Sequence, residues 1–139
     1  MSLSVKINSS AVGSIELSDD TVDRIVFDTD TPNDSRDRSK DLAIGCTIYG
    51  KIRRGKVGAD DTLNLPKWAM VSSSDNCYAD VTITVKAPLG RTIRETMLPN
   101  AFVTTYKEKF VDASGTGTFE LKIKQLVDDN KNVKVQGGY

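Results

Sequence analysis

The densest group of potential metal ligands lies between Asp28 and Asp34, where Asp28, Asp30, Asn33 and Asp34 place four oxygen-bearing side chains within seven residues. Hard divalent cations are held by such oxygens, and a twelve-residue calcium loop supplies them at fixed positions around a central glycine. Counted from Asp28, the sixth residue is Asn33 rather than glycine, the twelfth is Ser39 rather than glutamate, and Arg36 and Arg38 intrude. The spacing therefore fits an exposed, charge-compensated arm, Thr31 to Lys40, better than a cation site, and no metal is expected. Cys46 and Cys77 are the only thiols, and without histidine they do not fill a tetrahedral zinc site.

Nucleophilic catalysis finds no support either. The chain contains no histidine, so neither a Ser-His-Asp nor a Cys-His arrangement is available, and an imidazole general base is absent. Gly115-Thr116-Gly117 lacks the Lys-Ser/Thr that completes a phosphate loop, and no GxSxG elbow occurs. The glycine pair reads more simply as a hairpin turn, and Asp28-Thr29-Asp30 lacks the glycine of an aspartyl-protease loop. Nothing places a Ser-Lys pair together. We expect a protein that is not an enzyme and carries no cofactor.

Charge and composition narrow the remaining classes. In 139 residues, 19 basic and 19 acidic side chains cancel, while 38% of residues are hydrophobic and 27% charged. One domain with a real core is expected over residues 1–139. No nucleic-acid or membrane partner is expected, since nothing global attracts a polyanion and no apolar run approaches bilayer-spanning length. The start MSLSVKINSS lacks the basic-then-apolar order of a signal peptide, so a cytoplasmic beginning is expected. Whether Cys46 and Cys77 pair is left open by the sequence, although two cysteines in such a chain favour free thiols.

The elements that must position any site are mostly strands. Leu3, Val5 and Ile7 alternate, Ile15 and Leu17 follow, and Val22 to Asp28 has strand character with an undecided buried face. Leu42 to Ile52 alternates through Ile44, Cys46 and Ile48, with Gly45 and Gly50 marking a bend, bulge or close backbone approach. One helix is expected at about 62–72, capped by Thr62 or Asn64, with Pro66 in its first turn and Leu65 and Trp68 inward. Val81, Ile83 and Val85 make another strand, Ala87-Pro88-Leu89-Gly90 turns, and Arg91 to Leu98 returns. The stretch Leu98 to Gln125, LPNAFVTTYKEKFVDASGTGTFELKIKQ, reads as a long hairpin. In it Phe102, Tyr106 and Phe110 share a face, Phe119, Leu121 and Ile123 face them, and Asp112 to Gly117 turns with its glycines at positive φ. Trp68, Phe102, Tyr106, Phe110 and Phe119 are expected in the core, and Val133 and Val135 in a last edge strand.

These residues also carry a resemblance. LPNAFVTTYKEKF, a Gly/Ser turn and TFELKIKQ resemble the C-terminal half of the type VI secretion tube proteins (the haemolysin-coregulated protein family) and of contractile phage tail-tube subunits. Upstream, DTDTPNDSRDRSKDLAIGCTIYGKI resembles that family's strand, polar arm and strand, and DTLNLPKWAM its short helix; the likeness spans about Val22 to Gln125. It implies a mostly β fold: an antiparallel barrel of two sheets with one short flanking helix. It further implies a homo-oligomeric ring, commonly a hexamer, stacked into a tube that meets sheath, baseplate or cargo proteins and is exported within an injection particle. On this resemblance the arm residues Asp34, Arg36 and Arg38 reach a neighbouring subunit. The turn residues Asp112, Ser114, Gly115 and Gly117 are expected at a second contact. The competing expectation is a small monomeric or dimeric binding module on the same fold.

Overall fold

A computed structural model describes residues 1–31, 33, 36, 42–52, 62–71, 77–126, 130 and 132–138. Period-2 alternation dominates these residues, and strands follow from it: β1 (Ser2–Ser9), β2 (Gly13–Leu17), β3 (Val22–Asp30), β4 (Ala43–Ile52), β5 (Ala79–Lys86), β6 (Thr92–Val111), β7 (Thr116–Gln125) and β8 (Lys134–Gln136). All pairings are antiparallel, in the order β2-β1-β5-β6-β7-β4-β3, with β8 also on β6.

The Arg91–Leu98 return strand and the outgoing arm of the long hairpin are one element. β6 runs for 20 residues without a break, and this joins what the sequence read as two hairpins. Pro99 and Asn100 look like a stop, but Asn100 takes a left-handed φ of 53° and is held from outside the strand. Its amide donates to Asp80 Oδ1 at 3.1 Å, and its carbonyl accepts from the Leu126 amide at 3.2 Å. The buried Gln125 amide adds a bond to the Pro99 carbonyl.

β6 divides the sheet into two layers. Its first half lies between β5 and β8, and pairing with β5 ends at Ala101. From Ala101 onward its partner is β7, which leads to β4 and β3. Inward residues of both layers form one core: Val5, Ile7, Val81, Ile83 and Leu98 from the first, and Ile44, Cys46, Ile48, Phe119, Leu121 and Ile123 from the second. β1, next to the end strand β2, also contacts β3 at the other end of the sheet, which curls the sheet around the core. This is the barrel-like, mostly β arrangement that the sequence led us to expect, with one short helix among the described residues.

The helix, α1 (Asn64–Ala69), is shorter than the expected 62–72. Neither Thr62 nor Asn64 caps it; the N-cap is Leu63, with no side-chain cap bond. Six residues form a marginal helix by themselves, so tertiary contacts must hold this one. Leu65 and Trp68 are fully buried, and the Trp68 indole N–H donates to the Cys77 carbonyl at 2.9 Å.

Gly50 shows why β4 needs a glycine. A Cβ there would lie 2.4 Å from the Thr21 carbonyl oxygen and 2.6 Å from the Phe119 ring. The close approach lets the Thr21 carbonyl accept the Lys51 amide at 2.8 Å, and the β3–β4 register shifts between Val22 and Arg24 at the same place.

Candidate assembly interface

The outgoing arm of the long hairpin changes face partway. Phe102 pairs opposite Lys124 and Val103 opposite Ile123, but the next partner of Lys122 is Thr105, so a bulge falls at Thr104. The Thr104 hydroxyl donates to the Lys122 carbonyl at 3.2 Å. One extra residue exchanges the faces of everything beyond it. Phe102 therefore sits on the outer face, edge-on to Tyr78 at 5.9 Å, while Val103 packs against the core and Tyr106 lies opposite Leu121.

Phe110 shares the inward parity of Tyr106 but lies past the end of the core. It is 65% exposed, in contrast to the core position expected for it. Of the five aromatic residues expected there, Trp68 and Phe119 are fully buried and Tyr106 packs on the core's margin. The Phe110 ring rests on Gly117, where a Cβ would meet it at 3.0 Å. Gly117 is thus a buried β7 residue chosen for smallness rather than a positive-φ turn residue. The turn itself is Asp112 to Gly115. Gly115 has φ 64° and donates to the Val111 carbonyl at 2.9 Å, and the Ser114 and Thr116 hydroxyls meet at 2.7 Å. Asp112, Ser114 and Gly115 are exposed beside Phe110 and Val111, so this hairpin tip presents apolar and polar surface together. Of the arm residues, Arg36 is exposed at a bend, whereas Asp34 and Arg38 lie outside the described residues.

Two strand edges of the second layer are open among the described residues. One is β3, paired only with β4; the other is the second half of β6, paired only with β7. β3 is nine residues long, and its adjacent Val26 and Phe27 are 42% and 45% exposed on opposite faces. A long edge with apolar side chains is a template for another strand. Sequence reasoning passed over it, although the undecided buried face of Val22 to Asp28 was its signal. Beside the second half of β6 lies α1, where Pro66, Ala69 and Met70 form a groove with Val103, Tyr106 and Glu108. Tyr106 donates to Glu108 Oε1 at 2.6 Å, and burial together with that carboxylate holds the phenol protonated well above its usual range.

The outer face of this layer is polar. Lys107 lies 3.9 Å from Glu120, Lys51 lies 3.4 Å from Asp23, and the Arg24 guanidinium stacks 3.9 Å over the Tyr49 ring. Exposed pairs like these contribute about 0–1 kcal/mol each, so they do not hold the fold together. No group of three metal-ligating side chains occurs among the described residues, and Cys46 and Cys77 are free. No helix among them is long and apolar enough to cross a membrane.

No protein-family model and no curated protein matches this chain. Solved structures do. Hcp1 from E. coli superposes with TM-score 0.61 at 11% identity, covering 99% of each chain. Hcp1 from Flavobacterium johnsoniae gives 0.56 at 15% identity, over 96% of this chain and 95% of that one. A chain of the sheath-tube complex of an extracellular contractile injection system, in its extended state, gives 0.51 at 15% identity, over 96% and 88%. The chain therefore has the fold of Hcp proteins and of a contractile injection system component, along nearly its whole length.

Proposed function

We propose that this chain is a structural tube subunit, without catalytic activity, of a phage-tail-like or type VI-like contractile injection system. Chains join edge to edge into a closed ring, and rings stack into a hollow tube. The observation that carries this reading is the pair of open edges on opposite sides of one four-strand layer. β6, β7, β4 and β3 alternate in direction, so β3 of one chain meets the second half of β6 of an identically oriented neighbour in antiparallel sense. Such a contact is head-to-tail, as ring closure requires, and main-chain hydrogen bonds supply affinity without a large apolar patch.

Six subunits would contribute about 24 strands at about 4.8 Å spacing, a wall of about 115 Å circumference. The arm residues Asp34, Arg36 and Arg38 reach the neighbour, and the hairpin tip with Asp112, Ser114, Gly115 and exposed Phe110 contacts the next ring. Sheath, baseplate and cargo proteins are its further partners, and the tube forms in the cytoplasm before export with the particle.

The test is solution mass by light scattering after size exclusion, at several concentrations, with negative-stain microscopy. A ring-sized species that Val26→Lys with Phe27→Lys converts to folded monomer is the expected result. A strict monomer at every concentration would sink the proposal and leave a small binding module on this fold.

A further inference from the structure

The chain's net charge is zero, but its charges are not evenly spread. Strand register assigns the outer face of the second layer in rows. Lys109, Thr118 and Lys51 form one, Lys107, Glu120, Tyr49 and Arg24 the next, then Thr105, Lys122, Thr47 and Val26, and last Phe102, Lys124, Gly45 and Asp28. Six of these side chains are basic, Arg24, Lys51, Lys107, Lys109, Lys122 and Lys124, and all six are exposed; the acids of this face gather toward β3, with Asp23 beside Lys51 and Asp28 and Asp30 further along, so that on β6 and β7 four lysines face Glu120 alone. Lysines two apart on one strand stand about 7 Å from each other, close enough to repel. Lys107 and Lys51 each have an acidic neighbour, Glu120 and Asp23, but among the described residues Lys109, Lys122 and Lys124 have none within ion-pair distance.

The floor beneath is low. Gly45 has no side chain, and a Cβ there would be 3.0 Å from Asp28 Oδ1; Thr47 is buried between its neighbours. Flexible ammonium groups therefore stand over a nearly flat strand surface. In a closed ring this face lines the channel, because its opposite side carries the core and the entire first layer, which fit only on the wider, outer side of the wall. Repetition around the ring multiplies the basic excess.

We propose that this face binds acidic polypeptide, so that cargo carrying clustered carboxylates is held against the tube wall; the enclosure, though not the basic surface itself, rests on the tube reading. Polypeptide is favoured over single-stranded nucleic acid by the aromatic side chains. Base stacking needs an open ring face, but the Tyr49 ring is covered by Arg24 and Phe102 is engaged with Tyr78. Lysine ammonium groups act as point charges that carboxylates satisfy without a fixed planar fork.

The experiment titrates the full chain into a fluorescein-labelled peptide of twenty glutamates, read by anisotropy, with light scattering on the same samples. The wild type should bind at about 50 mM salt and weaken at least about tenfold by about 200 mM, as screening shortens the reach of the charges. Combined Lys122→Gln and Lys124→Gln, both on β7 and away from the ring seam, should weaken binding at least about fivefold while melting temperature and assembly stay unchanged. The corresponding two-Glu variant should abolish binding. Three results overturn the proposal: no binding by the wild type at low salt, equal binding by the Gln variant, or tighter binding of a twenty-nucleotide oligothymidine than of the peptide. A wild type that binds the peptide but stays monomeric would instead remove the tube and leave the acidic-polypeptide site in place.

Discussion

The two halves of β6 are built to different ends. In the first, Thr96 and Leu98 are buried, and strands pair on both sides. In the second, Lys107 to Val111 are exposed, and among the described residues only β7 pairs with it. One continuous strand is thus complete as part of a monomer over half its length and unfinished over the rest. Folding of a single chain accounts for the first half. The second has backbone groups that water satisfies until another strand does.

Substitutions should separate the halves. Leu98→Ala, in the closed half, removes a fully buried side chain and should cost about 2–5 kcal/mol, read by denaturant unfolding, with assembly lost only because the fold is. Gly50→Ala puts a methyl against the Thr21 carbonyl and Phe119, where β4 meets the chain entering β3, and should cost about 1–3 kcal/mol.

An alkaline titration is expected to cost less at moderate pH. Burial, with Asp28 adding to it, pushes the Cys46 thiol from 9.0 up to about 12. The unfolded chain loses this proton above about pH 9 and the folded chain keeps it, so stability is full below pH 9 and declines as pH rises toward 12. By pH 10 the loss should be about 1.4 kcal/mol, and Cys46→Ser should remove that part of the slope, leaving the part above pH 10 that the raised Tyr106 phenol contributes. At pH 8 a thiol reagent should modify Cys77 alone in the native chain; rapid reaction of Cys46 would contradict its burial. The smallest effect on stability, within about 0.5 kcal/mol, is expected from Val26→Lys with Phe27→Lys at the open edge. These two changes should nonetheless abolish the ring, and a ring that survives them would show that β3 is not the seam.

Much of this architecture could be read from local pattern. The alternation of Phe119, Leu121 and Ile123 and the turn at Ala87 to Gly90 each follow from residues a few positions apart, and the structure has both; at Gly50 the sequence left a bend, a bulge or a close approach open, and the close approach to Thr21 and Phe119 is the one found. Continuity of β6 could not be read, because what carries it across Pro99 and Asn100 comes from Asp80, Gln125 and Leu126, remote in sequence. The face change at Thr104 was hidden too. A bulge depends on what the partner strand offers, and it moved Phe102 outward against a plausible alternation. At the candidate interface the hairpin tip was legible from its turn residues. The β3 edge was not, since exposed Val26 and Phe27 make sense only beside a further strand, which the described residues do not supply. Asp34 and Arg38 rest on the resemblance alone.

The hairpin tip that carries Phe110 has a further implication. Twenty extended residues span about 65 Å, and along β6 the exposed residues gather at one end, Lys107 to Val111 beside the turn. A column of subunits repeating one contact inherits that asymmetry: it has a direction, and its two termini display different chemistry. With the hairpin tip as the proposed contact between rings, one terminus would offer hairpin tips and the other the surface that receives them. A capping factor suited to one end will not fit the other, and elongation rates at the two ends will differ.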